Sequence, residues 1–142
     1  MYLPLFEKLE KLIELMKSKG YSVVLSSGTR TFEEQAKLYN QGRTTHGEIV
    51  TNAKPGYSWH NYGLAGDLCF VINNKPSWDD HLPWLKMGEL GEGLGLEWGG
   101  RWGEMMDRPH FQITRGVPIE HALKIYRKRN SVYDVWQFIE RN

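Results

Sequence analysis

The sequence predicts an α+β fold built as a single domain. Three observations lead there. An amphipathic pattern of helical period opens the chain and helical stretches close it, short β-branched or aromatic runs lie between them, and the two kinds do not alternate as βαβ units would. The length, 142 residues, suits one hydrophobic core.

Residues 4–19 place Leu5, Leu9, Leu12, Ile13 and Met16 on one face, with Glu7, Lys8, Lys11, Glu14 and Lys17 mainly on the other. Gly20 is a suitable stop for that helix. Tyr21 to Ser26 reads as a strand. Thr31-Phe32-Glu33-Glu34 is a capping-box pattern, so a second helix starts after Thr31 and ends near Gly42. Residues 43–63 are rich in Gly, Thr, Asn and Pro and read as a long loop, which in a small domain is more often functional than idle. Leu64 to Ile72 is a strand, 80–92 a helix, the Gly-rich 91–103 a loop and Phe111 to Thr114 a short strand. Pro118 to Arg129 and Val132 to Arg141 read as helices, Pro118 being suited to a first turn.

Composition narrows the function. A formal charge of +1 offers no electrostatic reason to expect nucleic acid as a partner. One Cys excludes an internal disulfide framework and a Cys-rich zinc site. No apolar run approaches the ~20 residues of a membrane span. The N-terminus alternates charged and apolar residues and lacks a signal-peptide core, so synthesis in the cytoplasm is expected, with another system releasing a chain that acts outside. Six Trp and 13% aromatics can serve a substrate groove as well as a core.

The stretch SWHNYGLAGDLCF, residues 58–70, holds the first candidate chemistry. Gly63 and Gly66 argue against a helix, so His60 sits on a loop and Asp67 on the strand that follows. An aspartate in an otherwise apolar strand needs a positive partner, either a divalent cation or an arginine. Cys69 reads as a core residue rather than a nucleophile or ligand. Downstream, Pro109 biases Arg108 toward extended backbone and carries His110 into a short strand. His60, Asp67 and His110 together make three protein ligands and leave the open position that catalytic zinc requires. Asp107, near the last of them, could then act as a base. The same ligand types also serve non-haem iron oxygenases, a reading disfavoured by the wide spacing and the helical content.

At these residues the sequence resembles a family. Ser58 through Asp67 is similar to the S-x-H-x-x-G-x-A-x-D motif of the zinc D-alanyl-D-alanine carboxypeptidase family. Asp107-Arg108-Pro109-His110-Phe111 resembles its second motif, and Ser27-Gly28-Thr29-Arg30 through Gln35 resembles its S-G-x-R-[ST]-x-x-x-Q segment. Trp98-Gly99-Gly100-Arg101-Trp102 is similar to the W-G-G-x-W of the L-alanyl-D-glutamate endopeptidase branch, which includes phage endolysins. The resemblance covers about residues 24–114, leaving the first helix and the last two outside it.

The resemblance implies a small antiparallel sheet flanked by helices, of the hedgehog/DD-peptidase kind. It implies Zn²⁺ held by His60, Asp67 and His110, with Asp107 as general base and acid and Arg30 steadying the developing oxyanion. Ser58, Gln35, Trp98 and Trp102 are candidates for substrate binding, with one of the two tryptophans expected to line the cleft and the other to lie beneath it. The expected reaction is hydrolysis of the L-Ala–D-Glu bond of the peptidoglycan stem by a monomeric, single-domain enzyme without a separate wall-binding domain, such as a phage endolysin released by a holin. A D-Ala-D-Ala carboxypeptidase and a non-catalytic peptidoglycan-binding module with structural zinc are the alternatives. His46, His81 and His121 are expected at the surface, and Lys124, Arg127, Lys128 and Arg129 form a basic patch that suits a helix C-terminus. Gly66 departs from the branch, where an aliphatic residue is common.

Overall fold

The computed structural model describes all 142 residues. In chain order the elements are α1 (Leu3–Ser18), β1 (Val23–Ser27), α2 (Phe32–Asn40), β2 (Ala65–Ile72), β3 (Lys75–Ser77), α3 (Trp84–Gly93), β4 (Glu97–Trp98), β5 (His110–Gln112), α4 (Ile119–Arg129) and α5 (Val132–Arg141). Two short 3-10 turns, Trp59–Tyr62 and Gly99–Arg101, complete the set. The α+β expectation and the small antiparallel sheet are borne out. No helix is long and apolar enough to cross a membrane.

The chain divides into two compact units, Met1–Gly28 with Ala65–Ile113, and Thr29–Leu64 with Thr114–Asn142. The first unit holds the sheet, ordered β1-β2-β5-β4, with β3 paired to β2. Every pairing is antiparallel. Leu5, Leu9, Leu12 and Met16 of α1 are buried, as the helical period predicts. They share the unit's core with Leu68, Phe70, Trp84, Met87 and Phe111. Cys69 is fully buried there too, as expected of a core cysteine, and burial pushes its thiol pKa up.

Gly66 has a packing reason. A Cβ at this position would lie 2.7 Å from Leu9 Cδ1 and 3.2 Å from Leu25 Cδ1. The missing side chain is what lets α1 and β1 side chains close over the start of β2.

In the second unit α2 begins at a true capping box. The Thr31 hydroxyl accepts from Glu34 N–H at 3.0 Å, and Glu34 Oε1 accepts from Thr31 N–H at 3.0 Å. Phe32 stacks on Tyr126 at 4.7 Å and meets Tyr62 edge-on at 6.0 Å. Tyr62 is fully buried; its hydroxyl donates to Gly56 O at 2.6 Å, and burial pushes its pKa up. Trp136 of α5 donates to Tyr62 O at 2.5 Å. The long loop is tied down rather than loose: Arg43 donates to Tyr39 O at 2.5 Å, Thr51 O at 3.0 Å and Asn52 Oδ1 at 3.2 Å.

Some readings change. The helix read over 80–92 begins only at Trp84, after a turn. The segment 91–103 is not wholly loop, because Glu97–Trp98 adds a short edge strand to β5. β3 was not foreseen by periodicity; it follows β2 through Asn73 and Asn74, both at positive φ, as a two-residue hairpin turn requires.

Candidate metal centre

The site is assembled by one ladder and one turn. β2 and β5 pair so that Asp67 lies directly opposite His110. His60 stands on the 3-10 turn Trp59–Tyr62, which Ser58 caps by accepting from His60 N–H at 3.3 Å. Gly63 ends that turn in the left-handed conformation, at φ 68°. Arg30 N–H donates to His60 O at 3.0 Å and fixes the turn's backbone. One ligand atom from each of His60, Asp67 and His110 lies within 4.8 Å of the others. His60 and His110 are buried, at 3% and 6% exposure, and Asp67 is half-buried.

The donor set suits a divalent cation. His110 Nδ1 stands 3.1 Å from Asp67 Oδ1, and His110 Nε2 stands 2.7 Å from Gln112 Oε1. With the Nε2 proton given to Gln112, a neutral imidazole turns its lone pair toward a carboxylate. A cation or a proton must lie between two such donors. Burial works to lower the His110 pKa, but the hydrogen bond and charge of Asp67, with help from Gln112 and Asp107, leave it raised. Two imidazoles and one carboxylate are hard-to-borderline donors of the kind zinc accepts, with a further position left for water or substrate.

Asp107 lies beside this set, its Oδ2 3.8 Å from His110 Nδ1 and its side chain 47% exposed. The turn that carries it is pinned from several directions. Asp107 N–H donates to Gly99 O at 2.9 Å, and His110 N–H to Asp107 O at 3.2 Å. Trp98 Nε1–H donates to Arg108 O at 2.8 Å, and Leu68 N–H to Pro109 O at 2.9 Å. Arg108 pairs with Asp80.

The two tryptophans separate in role. Trp98 is buried, and a Cβ on Gly88 or Gly100 would fall 2.2 Å or 2.1 Å from its indole, so the ring needs a glycine on each side. Trp102 is half-buried, its ring 5.1 Å from that of His110. Thus Trp98 lies beneath the site and Trp102 beside it.

Arg30 is half-buried, with Nη1 donating to Gln35 Oε1 at 3.2 Å. Direct substrate contact by Gln35 is not compatible with its position. It is fully buried, and its amide is spent on Arg30, on Asn61 Nδ2 at 3.4 Å and on Ala53 O at 2.9 Å. Gln35 therefore orients Arg30 rather than a ligand. Ser58 likewise uses its hydroxyl as the cap of the His60 turn. His46, His81 and His121 are exposed, as expected.

Asn61 and Gln112 escape the motif reading. Asn61 Oδ1 accepts from Gly56 N–H at 3.0 Å, and its amide donates to Arg30 O at 3.3 Å, joining the loop to both. A usable signal existed for Gln112: on a strand the side chain two positions after a ligand shares its face.

Known proteins bear on these residues. Residues 51–113 match a family described as D-alanyl-D-alanine carboxypeptidase. The peptidoglycan L-alanyl-D-glutamate endopeptidase CwlK of Bacillus subtilis (strain 168) is 43% identical over 107 residues, 68% of this chain and 63% of its own length. The L-alanyl-D-glutamate peptidase of Listeria phage A118 is 29% identical over 106 residues, 73% of this chain and 34% of its own. The chain thus spans less than two thirds of either relative. Among solved structures, the LdcB LD-carboxypeptidase superposes with a TM-score of 0.59 at 26% identity, over 77% of this chain and 62% of that one. The resemblance carried by the motifs is borne out: the match to the D-alanyl-D-alanine carboxypeptidase family contains His60, Asp67, Asp107 and His110.

Proposed function

We propose that the chain is a zinc-dependent peptidoglycan peptidase that hydrolyses the L-Ala–D-Glu bond of the stem peptide. The observation that carries the reading is the convergence of His60, Asp67 and His110, with Asp107 beside His110. His60, Asp67 and His110 would hold the ion. Zinc, when bound there, supplies Lewis-acid polarisation of the scissile carbonyl and lowers the pKa of water toward ~7.

The chain's own groups do the rest. Asp107 accepts the proton of the attacking water and returns it to the leaving amine. Its half-exposed carboxylate stands on a turn pinned by Gly99 and Trp98, 3.8 Å from His110 Nδ1. Arg30 donates hydrogen bonds to the oxygen that gains charge, held in aim by Gln35. Trp102 offers an aromatic wall beside His110.

The Trp98-Gly99-Gly100 run and the Bacillus relative favour the endopeptidase over a D-Ala-D-Ala carboxypeptidase. Asp107 weighs against a non-catalytic binding module, since a structural site needs no base. The phage origin of one relative favours a phage enzyme that acts on its host's wall.

The test is to incubate the protein with purified peptidoglycan, with and without chelator, and to identify new termini by mass spectrometry. New D-Glu amino termini that vanish with chelator and return with zinc support the reading. Released D-Ala moves it to the carboxypeptidase. No cleavage of any wall type by zinc-loaded protein overturns it.

A further inference from the structure

We infer that Gln112, held by Glu97, is a positioning residue that selects the nitrogen through which His110 binds the metal. The inference rests on the zinc peptidase reading and adds to it a residue outside the ligand set.

Gln112 is buried at 8% exposure on β5, two positions after His110 and on the same side of the strand. Its side-chain nitrogen donates to Glu97 Oε1 at 3.3 Å, and its Oε1 stands 2.7 Å from His110 Nε2. Glu97 and Gln112 are also direct partners in the β4–β5 ladder, so the backbone holds their side chains together.

The chemistry of the chain of contacts has one consistent solution. An ionised carboxylate only accepts, so Glu97 must face the amide NH₂ of Gln112. The amide oxygen then faces His110 and also only accepts. His110 Nε2 must therefore carry the proton. Nδ1, facing Asp67, is left as the donor atom. The relay thus fixes both the tautomer and the ring angle of the ligand from outside the site, the way outer partners of metal-bound histidines act elsewhere. Glu97 is the origin of this order: without it the Gln112 amide could turn over and offer His110 a donor instead.

The test reads zinc affinity by chelator competition and the ligating atom by NMR of cadmium-loaded, nitrogen-labelled protein. Gln112→Leu should weaken zinc binding about tenfold to a hundredfold. Glu97→Gln alone should weaken it less, because the amide keeps one good orientation of two. The exchange Glu97→Gln with Gln112→Glu restores the relay, since Gln then donates and Glu accepts from Nε2–H; it should return affinity to the wild-type level. Metal–nitrogen coupling should appear at His110 Nδ1, with the Nε2 proton retained. Thermal unfolding of the metal-free proteins separates these effects from loss of fold. Coupling at Nε2, or a folded Gln112→Leu protein that binds zinc as tightly as wild type, overturns the inference and leaves the peptidase reading standing. Folded wild-type protein that takes up no zinc overturns both.

Discussion

A Cβ on Gly99 would meet the main-chain oxygen of Asp107 at 2.4 Å and the Cβ of His110 at 3.1 Å. The glycine is what lets the turn bearing the proposed base and the last ligand close down on the end of β4. The obstacle is backbone, which cannot swing aside as a flexible side chain would. Gly99→Ala should therefore displace the 107–110 turn and cost about 1–3 kcal/mol of stability. A base moved by about 1 Å can lose 10²-fold in rate. Hydrolysis of purified stem peptides, with thermal unfolding alongside, checks both. Near-normal turnover in this variant would show that the turn tolerates the shift.

Gln35 gives a second prediction. Its buried amide serves Arg30, Asn61 and Ala53 at once. Gln35→Met keeps the volume and removes every one of these bonds. Leaving their partners unsatisfied should cost about 1–3 kcal/mol. Turnover should fall as well, through loss of aim in Arg30, while zinc affinity stays unchanged. A loss of zinc affinity equal to the loss of turnover would count against this division of labour.

Asp107→Asn separates base from ligand. The amide is of the same size and is held by the same backbone bonds to Gly99 and His110. Zinc should still bind, while turnover falls about 10²–10⁴-fold, the usual share of general acid–base catalysis. Isothermal titration with zinc and a peptidoglycan digestion assay read the two arms. Near-normal digestion would remove Asp107 from the mechanism.

What could be read in advance follows the range of the forces involved. The amphipathic period of α1 and the Thr31–Glu34 capping box are local, and both elements stand where those patterns put them. Asp67 could be judged costly in an apolar strand from its neighbours alone, but its partner His110 comes from the register of β2 on β5. β4 has two residues, too few for any period, and β3 carries Pro76, which weakens a strand signal. The Asn73-Asn74 turn was a local clue to the β2–β3 hairpin. The resemblance makes Gln35 a candidate for substrate binding; its burial depends on Ala53 and Asn61, which only the folded chain brings to it.

The fourth prediction concerns acid. Hydrogen bonding from the Thr31 backbone N–H, and then from its side chain, holds the Glu34 carboxyl below its usual value of 4.5, with Arg30 and Lys37 adding to the effect. A carboxylate with a depressed folded-state pKa stabilises above its unfolded value, and that contribution is lost as pH falls through the folded one. Glu34→Gln keeps the capping-box geometry but carries no charge for the α2 N-terminus. Wild type should therefore melt slightly higher than Glu34→Gln near neutral pH. The gap should narrow once the pH drops below about 4.5, where the unfolded carboxyl begins to take up protons, and close below the folded value. Melting curves of both proteins across this range check the sign; a gap that widens with acid would mean that the charge at Glu34 opposes the fold.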